Sequence, residues 1–164
     1  MSRDLNGMRI AILATDGVER IELEEPRGAL YGAGAVSDVL SLHGGEIQAR
    51  QFDMIPAGTI PVDWVVGEAR ADAYDALLLP GGTVNPDQLR MNADAVGFVK
   101  TFAGTGKPIA SWPSLWTDLR NAGAEVVDTE VVADGQFTTS RSPDDLRAFC
   151  PAIVEQFAAR RVAH

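Results

Sequence analysis

The sequence predicts an α/β fold in which helices alternate with the strands of a mostly parallel sheet. Two apolar runs, Met8–Thr15 and Asp75–Leu79, each lead into a turn that contains glycine, as expected of strands buried on both faces. A third observation is the amphipathic pattern of a final helix at Pro143–Ala159. Its apolar stripe comprises Leu146, Phe149, Cys150, Ile153 and Phe157. Together these patterns indicate a buried sheet with helices packed on both faces.

The other regular elements of this fold follow in chain order. A helix begins after Glu19 and leads to a second strand at Val36–Leu42. Asn92 is the expected N-cap of a helix at Ala93–Ala103, because its side chain can accept a hydrogen bond from the first helical turn. Lys107–Ala110 is a short fourth strand, so the central sheet is predicted to contain four parallel strands.

Three further segments are an insertion, a helix and a hairpin. Gly44–Asp63 is rich in proline and glycine, so we expect a surface insertion of irregular or hairpin structure. Pro113–Ala122 has the pattern of a helix. Glu125–Val132 and Gln136–Ser140 predict a hairpin around the turn Asp134-Gly135.

Composition excludes several classes of protein. The chain has 164 residues, of which 46% are hydrophobic and 23% charged, so we expect one globular domain over residues 1–164. A formal net charge of −9 makes nucleic acid an unfavourable partner. The apolar stretches are too short to cross a bilayer, and no secretory signal precedes the first strand, so a cytoplasmic protein is expected. Because Cys150 is the one cysteine and His43 and His164 are the two histidines, neither a disulfide nor a structural metal is expected.

Few local motifs predict chemistry by themselves. The glycines of segment 32–34 follow a helix, which favours a helix C-cap over a dinucleotide site, and no cofactor is expected. For Gly81 and Gly82 two interpretations stay open, a backbone that faces a ligand and a plain tight turn. Glu19 is either a solvated carboxylate or an acid/base group at the end of the first strand. Cys150 lies on the apolar stripe of the last helix, so an inert thiol is expected.

A series of short motifs spans nearly the whole chain. They are Asp16–Leu23, Gly44–Gln48, Leu79–Gly82, Asn85–Asp87, Lys107–Ala110, Asp118–Ala124, Thr139–Arg141 and Pro143–Leu146. In this order they resemble the PfpI-type intracellular protease family of the class I glutamine amidotransferase-like superfamily. The resemblance implies a flavodoxin-like three-layer sandwich and a homodimer or larger assembly. It also implies an activity, because members of the family are cysteine hydrolases, or glyoxalase- or deglycase-like enzymes that act on reactive carbonyls, often in stress responses.

The chain departs from the family at the catalytic cysteine. In the family, a strand like Lys107–Ala110 continues into a sharp elbow that presents a cysteine thiolate beside a histidine. Here Ala110 passes directly to Ser111-Trp112-Pro113-Ser114, which in the family follows a further helix and strand. About twenty residues, one αβ unit of the fold, are therefore expected to be absent together with the nucleophile. Ser111 is not expected to replace it, because the motif of a serine elbow is lacking.

The resemblance assigns roles to the supporting residues that remain. It implies that Glu19 is the carboxylate that touches the nucleophile. It implies that Gly81 and Gly82 supply backbone for the oxyanion site. Asp87 matches an acidic residue that meets the elbow histidine across a subunit interface.

Two hypotheses for the function follow. The first is a catalytically impaired stress-type family member that acts through assembly, or by binding a small carbonyl or peptide ligand near Glu19, Gly81 and Asp87. The alternative is a cysteine-dependent hydrolase, an intracellular protease or a glyoxalase- or deglycase-like enzyme, whose elbow segment is missing from the sequence as it stands. For either, Asp87 with the apolar Trp64 and Trp116 predicts a twofold interface of ~1,200 Å² or more.

Overall fold

A seven-stranded sheet forms the centre of the fold in the computed structural model, which describes residues 3–112 and 129–161. The strands in chain order are β1 (Arg9–Leu13), β2 (Val18–Glu19), β3 (Val36–Ser41), β4 (Glu46–Gln51), β5 (Ile55–Pro61), β6 (Trp64–Val65), β7 (Ala76–Leu79), β8 (Ile109–Ser111), β9 (Val131–Asp134) and β10 (Phe137–Ser140). The helices are α1 (Arg20–Gly32), α2 (Val84–Arg90), α3 (Ala93–Gly104) and α4 (Leu146–Arg161). Short 3₁₀ turns occupy Val66–Glu68, Ala71–Ala73 and Pro143–Asp145.

The order of strands in the large sheet is β6-β3-β1-β7-β8-β10-β9. Neighbouring strands pair in parallel from β6 to β10, and β9 is antiparallel to β10. The predicted α/β architecture is therefore confirmed. The four predicted central strands are all present, and their ends differ from the predicted ones by two residues or fewer.

Both faces of β1 are buried from Ile10 to Leu13, which explains the apolar sequence that follows Arg9. Ile10 and Ile12 point into a core that α1 and α4 cover on one face of the sheet. Ala11 and Leu13 point into a second core, which contains Phe98 and Phe102 of α3, on the other face. The molecule thus has the three layers of the predicted sandwich.

The segment predicted as a surface insertion, Gly44–Asp63, is more regular than expected. Here β4 and β5 form an antiparallel hairpin, and β4 also pairs in parallel with β2, so that a second, three-stranded sheet results. Ile47 and Ile60 are buried in the core beside α1. The hairpin alternative of the prediction is therefore confirmed. The expectation that the segment lies only at the surface was wrong, because alternate residues of the hairpin pack on the core.

The C-terminal part confirms the predicted final helix and corrects one turn. Asp134 pairs with Phe137, so Gly135 and Gln136 make the turn between β9 and β10, one residue later than the predicted Asp-Gly turn. Before α4, Ser142 and Asp145 form a reciprocal capping box that opens the helical segment. The helix predicted at Pro113–Ala122 lies outside the described residues. None of the described helices combines the length and apolar character that a bilayer crossing needs.

Candidate functional site

The loops that follow β1 and β7 meet at the carboxyl edge of the central sheet, where Trp112 also follows the end of β8. In such sheets this edge is where ligands bind. The loop after β1 contains Thr15, the one after β7 contains Gly81 and Gly82, and Trp112 follows β8. The backbone N–H of Glu19 donates to the carbonyl of Gly81 at 3.3 Å, so the first two loops are in direct contact.

Asn85 of α2 joins two of these loops and is fully buried. Its Oδ1 accepts a hydrogen bond from the backbone N–H of Thr15 at 2.7 Å. Its Nδ2 donates to the carbonyls of Pro80 at 2.9 Å and Gly81 at 3.1 Å. Beyond the ends of β1 and β7, the Asn85 side chain thus provides the hydrogen bonds that a neighbouring strand would otherwise make to these backbone groups.

The two glycines after β7 are required by close approach of neighbouring groups. Gly82 has a φ of +97°, and a Cβ on it would lie 2.6 Å from the carbonyl oxygen of Gly17. A Cβ on Gly81 would lie 2.2 Å from Oε2 of Glu22 and 2.7 Å from Cδ1 of Trp112. Close packing is therefore a reason for glycine at both positions, whether the turn is a plain tight turn or a backbone that faces a ligand. The predicted oxyanion role of Gly81 and Gly82 stays a prediction.

The carboxylate of Glu19 is buried and is occupied by backbone donors. Its Oε1 accepts from the N–H of Phe52 and its Oε2 from the N–H of Asp53, both at 3.1 Å. These two residues form the tip of the β4–β5 hairpin, and both have positive φ, 53° and 62°. Glu19 therefore holds the hairpin tip in a backbone conformation that non-glycine residues rarely adopt.

The hairpin tip makes a second contact with the site. Oδ1 of Asp53 accepts from the backbone N–H of Thr83 at 2.7 Å, and Oδ2 accepts from the Thr83 hydroxyl at 2.9 Å. Thr83 directly precedes α2, so the tip connects the start of α1 with the start of α2. The hairpin thereby covers the side of the site on which Glu19 lies.

Glu22, one helical turn after Glu19, is the most perturbed acidic group of the site. Its side chain is 6% exposed, and its Oε2 has no hydrogen-bond partner. Burial and then the charge of Glu19 raise the pKa of Glu22 to about 8, while the backbone of Gly81 and the Trp112 indole act in the opposite direction. The Nε1 of Trp112 is also buried and unpartnered, so the indole lies near the carboxyl without a well-formed hydrogen bond. A carboxylic acid that holds its proton near neutral pH is typical of functional sites.

A second pair of titratable groups lies at the rim, where Asp16 meets His43. Nε2 of His43 lies 2.8 Å from Oδ2 of Asp16, and Nδ1 lies 2.9 Å from the carbonyl oxygen of Gly44. The Gly44 carbonyl and then the Asp16 side chain raise the pKa of His43. Partial burial would raise the pKa of Asp16, but hydrogen bonds from the Gln48 backbone and from His43 hold it below its usual value. His43 thus holds its loop against the loop that follows β1.

The remaining predicted residues are spread over the surface. Asp87 is largely exposed on α2 and pairs with Arg90 at 3.1 Å, and the structure does not join it to Glu19. Trp64 lies on edge strand β6 with 49% of its surface exposed, and Trp116 lies outside the described residues. The interface predicted from Asp87 and these tryptophans stays a prediction.

Cys150 lies on α4 and not at this site. It is half-buried beside the core of α1 and α4. Burial and the nearby Glu25 raise the pKa of Cys150 to about 11. Ser111 ends β8 and is half-buried. Across residues 3–112 and 129–161, no three side chains of the metal-binding types converge on one position.

Sequence reasoning missed Glu22 and Asn85. The signal for Glu22 is its spacing of three residues from Glu19, which places both on one face of a helix. The signal for Asn85 is weaker, since only its position three residues after Gly82 points to the loop it holds. Both side chains gain their roles from tertiary contacts.

Fold and site together define an α/β protein with a mostly parallel sheet and a carboxylate-rich cluster at the carboxyl edge. The chain belongs to the DJ-1/PfpI family, which it matches over residues 8–112 and 106–156. This agrees with the resemblance found in the motifs.

Relatives with known names cover nearly the whole chain. A deglycase of Thermococcus kodakarensis is 33% identical over 169 aligned positions, which take in 90% of this chain and 98% of that protein. General stress protein 18 of Bacillus subtilis is 33% identical, with 87% of this chain and 94% of that protein aligned. The family is thus supported at full length by proteins of similar size.

Solved structures agree with this fold. A two-domain protein of Anabaena variabilis with a DJ-1/ThiJ/PfpI-like and a ferritin-like domain superposes with a TM-score of 0.83 at 29% identity. The match covers 92% of this chain and 48% of that protein, so this chain spans about half its length. DJ-1 of Schizosaccharomyces pombe gives a TM-score of 0.77 at 18% identity, with 95% and 98% of the two chains covered.

The alignments also bear on the absent block. The two matched segments of the family overlap at residues 106–112, a stretch that includes Ala110. The Thermococcus alignment has more positions than this chain has residues, and it leaves a tenth of the chain out. Roughly twenty aligned positions are therefore gaps in this chain, about the size of one crossover unit. Both findings are what the absence of a block near Ala110 would produce.

Proposed function

We propose that this protein is a DJ-1/PfpI family member that acts through self-assembly and the binding of a small carbonyl or peptide ligand, without covalent thiol catalysis. The observation that carries the proposal is the position of its one thiol. Cys150 lies on α4, and burial raises its pKa to about 11, so the reactive thiolate is scarce at neutral pH. A cytoplasmic location belongs to the same proposal.

The carboxylates of the site support this proposal. Attack on a carbonyl carbon needs an activated nucleophile about 3 Å from the reacting atom. Both oxygens of Glu19 are engaged by the hairpin tip, which leaves this carboxylate little capacity to serve a nucleophile. General acid/base help from a carboxyl contributes only ~10²–10⁴-fold, which does not replace covalent catalysis.

The second candidate is a cysteine-dependent enzyme of the deglycase or protease type. It is favoured by relatives that are named deglycases and align over nine tenths of this chain. It requires an elbow segment between Ala110 and Ser111 that the sequence does not contain.

Turnover by the purified protein of verified mass separates the two candidates. Methylglyoxal and a peptide substrate are each incubated with the protein, and the Thermococcus deglycase serves as the parallel control. We expect no turnover above that of buffer, and no change with Cys150→Ser or Ser111→Ala. Turnover that either substitution abolishes would contradict the proposal.

Assembly is tested separately by light scattering at micromolar concentration. A dimer or a larger particle is expected, because a family member that acts by assembly needs a stable interface of ~1,200 Å² or more. Asp87→Ala and Trp64→Ala should weaken the assembly. A monomer at this concentration would remove this part of the proposal.

A further inference from the structure

Asn6 and Gly7 form an exposed turn just before β1, at the end of the sheet remote from the candidate site. We propose that this turn is a site of spontaneous covalent modification, at which Asn6 deamidates to isoaspartate and aspartate in the folded protein. The isoaspartate is a substrate for methyltransferases that esterify this residue with the methyl group of S-adenosylmethionine. The inference goes beyond the proposed function and does not rest on it.

The reaction needs only the chain itself and water. The backbone nitrogen of Gly7 attacks Cγ of Asn6, so that a new N–C bond closes a five-membered succinimide ring while the Cγ–Nδ2 bond breaks. The proton of the Gly7 nitrogen goes to the leaving amide nitrogen, which departs as ammonia. Water then opens the ring. Attack of water on Cγ gives aspartate, whereas attack on the main-chain carbonyl carbon of Asn6 gives isoaspartate, in which the chain runs through the side-chain carboxyl.

The fold leaves both reacting groups accessible. Within residues 3–112 and 129–161, the N–H of Gly7 donates to no acceptor, and the side-chain amide of Asn6 makes no hydrogen bond. Both residues are exposed, so water can reach the succinimide. Because glycine has no side chain, nothing on Gly7 hinders the approach of its nitrogen to Cγ of Asn6.

The turn can also rotate into the geometry of attack. The N–H of Met8 donates to the carbonyl of Leu5 at 2.9 Å, and the N–H of Leu5 donates to the carbonyl of Ala33 at 2.9 Å. The peptide group between Asn6 and Gly7 is the central one of this turn, and the types of β-turn differ by its rotation. Gly7 has a φ of +82°, and glycine tolerates both signs of φ. The central peptide can therefore rotate while both flanking residues stay in place.

The modification changes a joint between the start of β1 and the turn that follows α1. A Cβ on Gly34 would overlap Oδ1 of Asn6 and lie 3.1 Å from its backbone nitrogen, so Asn6 packs directly on this glycine. Leu5 is fully buried and Met8 is 4% exposed, so the turn connects two anchored residues. Isoaspartate adds a methylene to the main chain between them. Both products also place a carboxylate near Asp4, whose Oδ1 accepts from the N–H of Asn6. We therefore expect the modified chain to be less stable.

Two other asparagines of the chain are held against this reaction. Asn85 precedes Pro86, whose nitrogen has no proton to give up, and its buried side chain makes three hydrogen bonds. The side chain of Asn92 accepts from the N–H of Ala95 at 3.0 Å as the N-cap of α3. Both serve as internal controls in the same sample.

The test is incubation of the full chain at 37 °C and mildly alkaline pH, followed by peptide mapping with mass spectrometry. We expect the Asn6 peptide to gain the mass of an amide-to-acid exchange, with isoaspartate in excess of aspartate, while the peptides of Asn85 and Asn92 stay unchanged. A purified isoaspartyl methyltransferase with labelled S-adenosylmethionine should methylate the Asn6 peptide. If Asn85 or Asn92 reacts before Asn6, or if the Asn6 peptide takes up no methyl groups, the proposal is wrong.

An incubation in guanidinium chloride separates the effect of the fold from that of the local sequence. Asn6 should react at similar rates in the folded and the unfolded chain, because the fold leaves the turn accessible. Reaction in the unfolded chain alone would overturn the proposal.

Asn6→Gln is the matched variant, since glutamine would have to close a six-membered ring, which forms far more slowly. After the incubation, the wild-type chain should unfold at a lower urea concentration than before, whereas Asn6→Gln should keep its midpoint. Equal midpoints for the fresh and the incubated wild-type chain would refute the expected loss of stability.

Discussion

Asn85→Ala is expected to destabilise the fold strongly, although Asn85 has no charge and lies on a short helix. The substitution removes three hydrogen bonds from the joint between the loops after β1 and β7. The carbonyl of Gly81 keeps a donor, the backbone N–H of Glu19. For the N–H of Thr15 and the carbonyl of Pro80, Asn85 is the partner found within the described residues.

The size of the effect follows from these two groups. A buried polar group that loses its partner costs about 1–3 kcal/mol. Two such groups, at a site that is fully buried, give an expected loss of ~4 kcal/mol in the free energy of unfolding. This is a large fraction of the ~5–15 kcal/mol that stabilises a typical domain.

Urea unfolding followed by far-UV circular dichroism measures this loss. Asn92→Ala is the matched control, because Asn92 caps α3 through one bond to the N–H of Ala95 at 3.0 Å. Loss of such a cap costs ~1 kcal/mol. If Asn85→Ala costs no more than Asn92→Ala, the account of Asn85 as the joint between the two loops is wrong.

Three further predictions concern pH and backbone. The pKa of Glu22 is raised from 4.5 to about 8 on folding, so between these two pH values the folded state binds more protons than the unfolded state. The free energy of unfolding therefore falls as pH rises through this range. Glu22→Gln should raise the free energy of unfolding by ~2–5 kcal/mol at pH 8 and hardly at pH 4, measured by urea titrations at both values. Because the pKa of His43 is raised on folding, its protonated ring stabilises the fold below pH 6.5, the pKa of the unfolded state. This stabilisation is lost as the pH rises through the pKa of the folded state. His43→Gln should therefore cost at most ~1 kcal/mol at pH 5.5 and nothing at pH 9. Gly82→Ala should lower the thermal midpoint clearly, because its Cβ would strike a backbone carbonyl. Gly104→Ala, with nothing within 4 Å, should not lower it.

The central sheet was predictable because burial on both faces leaves a continuous apolar sequence. This signal marks β1 and β7 unambiguously. The second sheet was not predicted, because β2 has two residues and its pairing with β4 arises only once the chain is folded. Prolines and glycine in β5 also suggested irregular structure, while Ile47 and Ile60 in fact pack on the core.

The candidate site was predictable only in part. Glu19 could be found because it follows the first strand, where the edge of a parallel sheet places functional groups. Glu22 resembles an ordinary solvated residue of a first helical turn, and it is buried by Gly81 and Trp112 from distant parts of the chain. Asn85 bonds the backbone of Thr15, seventy positions earlier in the chain, which no local pattern records.

The pH dependence of Cys150 alkylation is the sharpest test of whether this thiol can serve the cysteine-dependent chemistry that the resemblance to the PfpI-type family implies. Iodoacetamide reacts with the thiolate, so its rate follows the fraction of Cys150 that is ionised. We expect slow alkylation at neutral pH and a rate that still rises above pH 9, towards a midpoint at about 11. A rate that levels off with a midpoint below pH 8 would show that Cys150 is an activated thiolate, and the proposed lack of thiol catalysis would then be wrong.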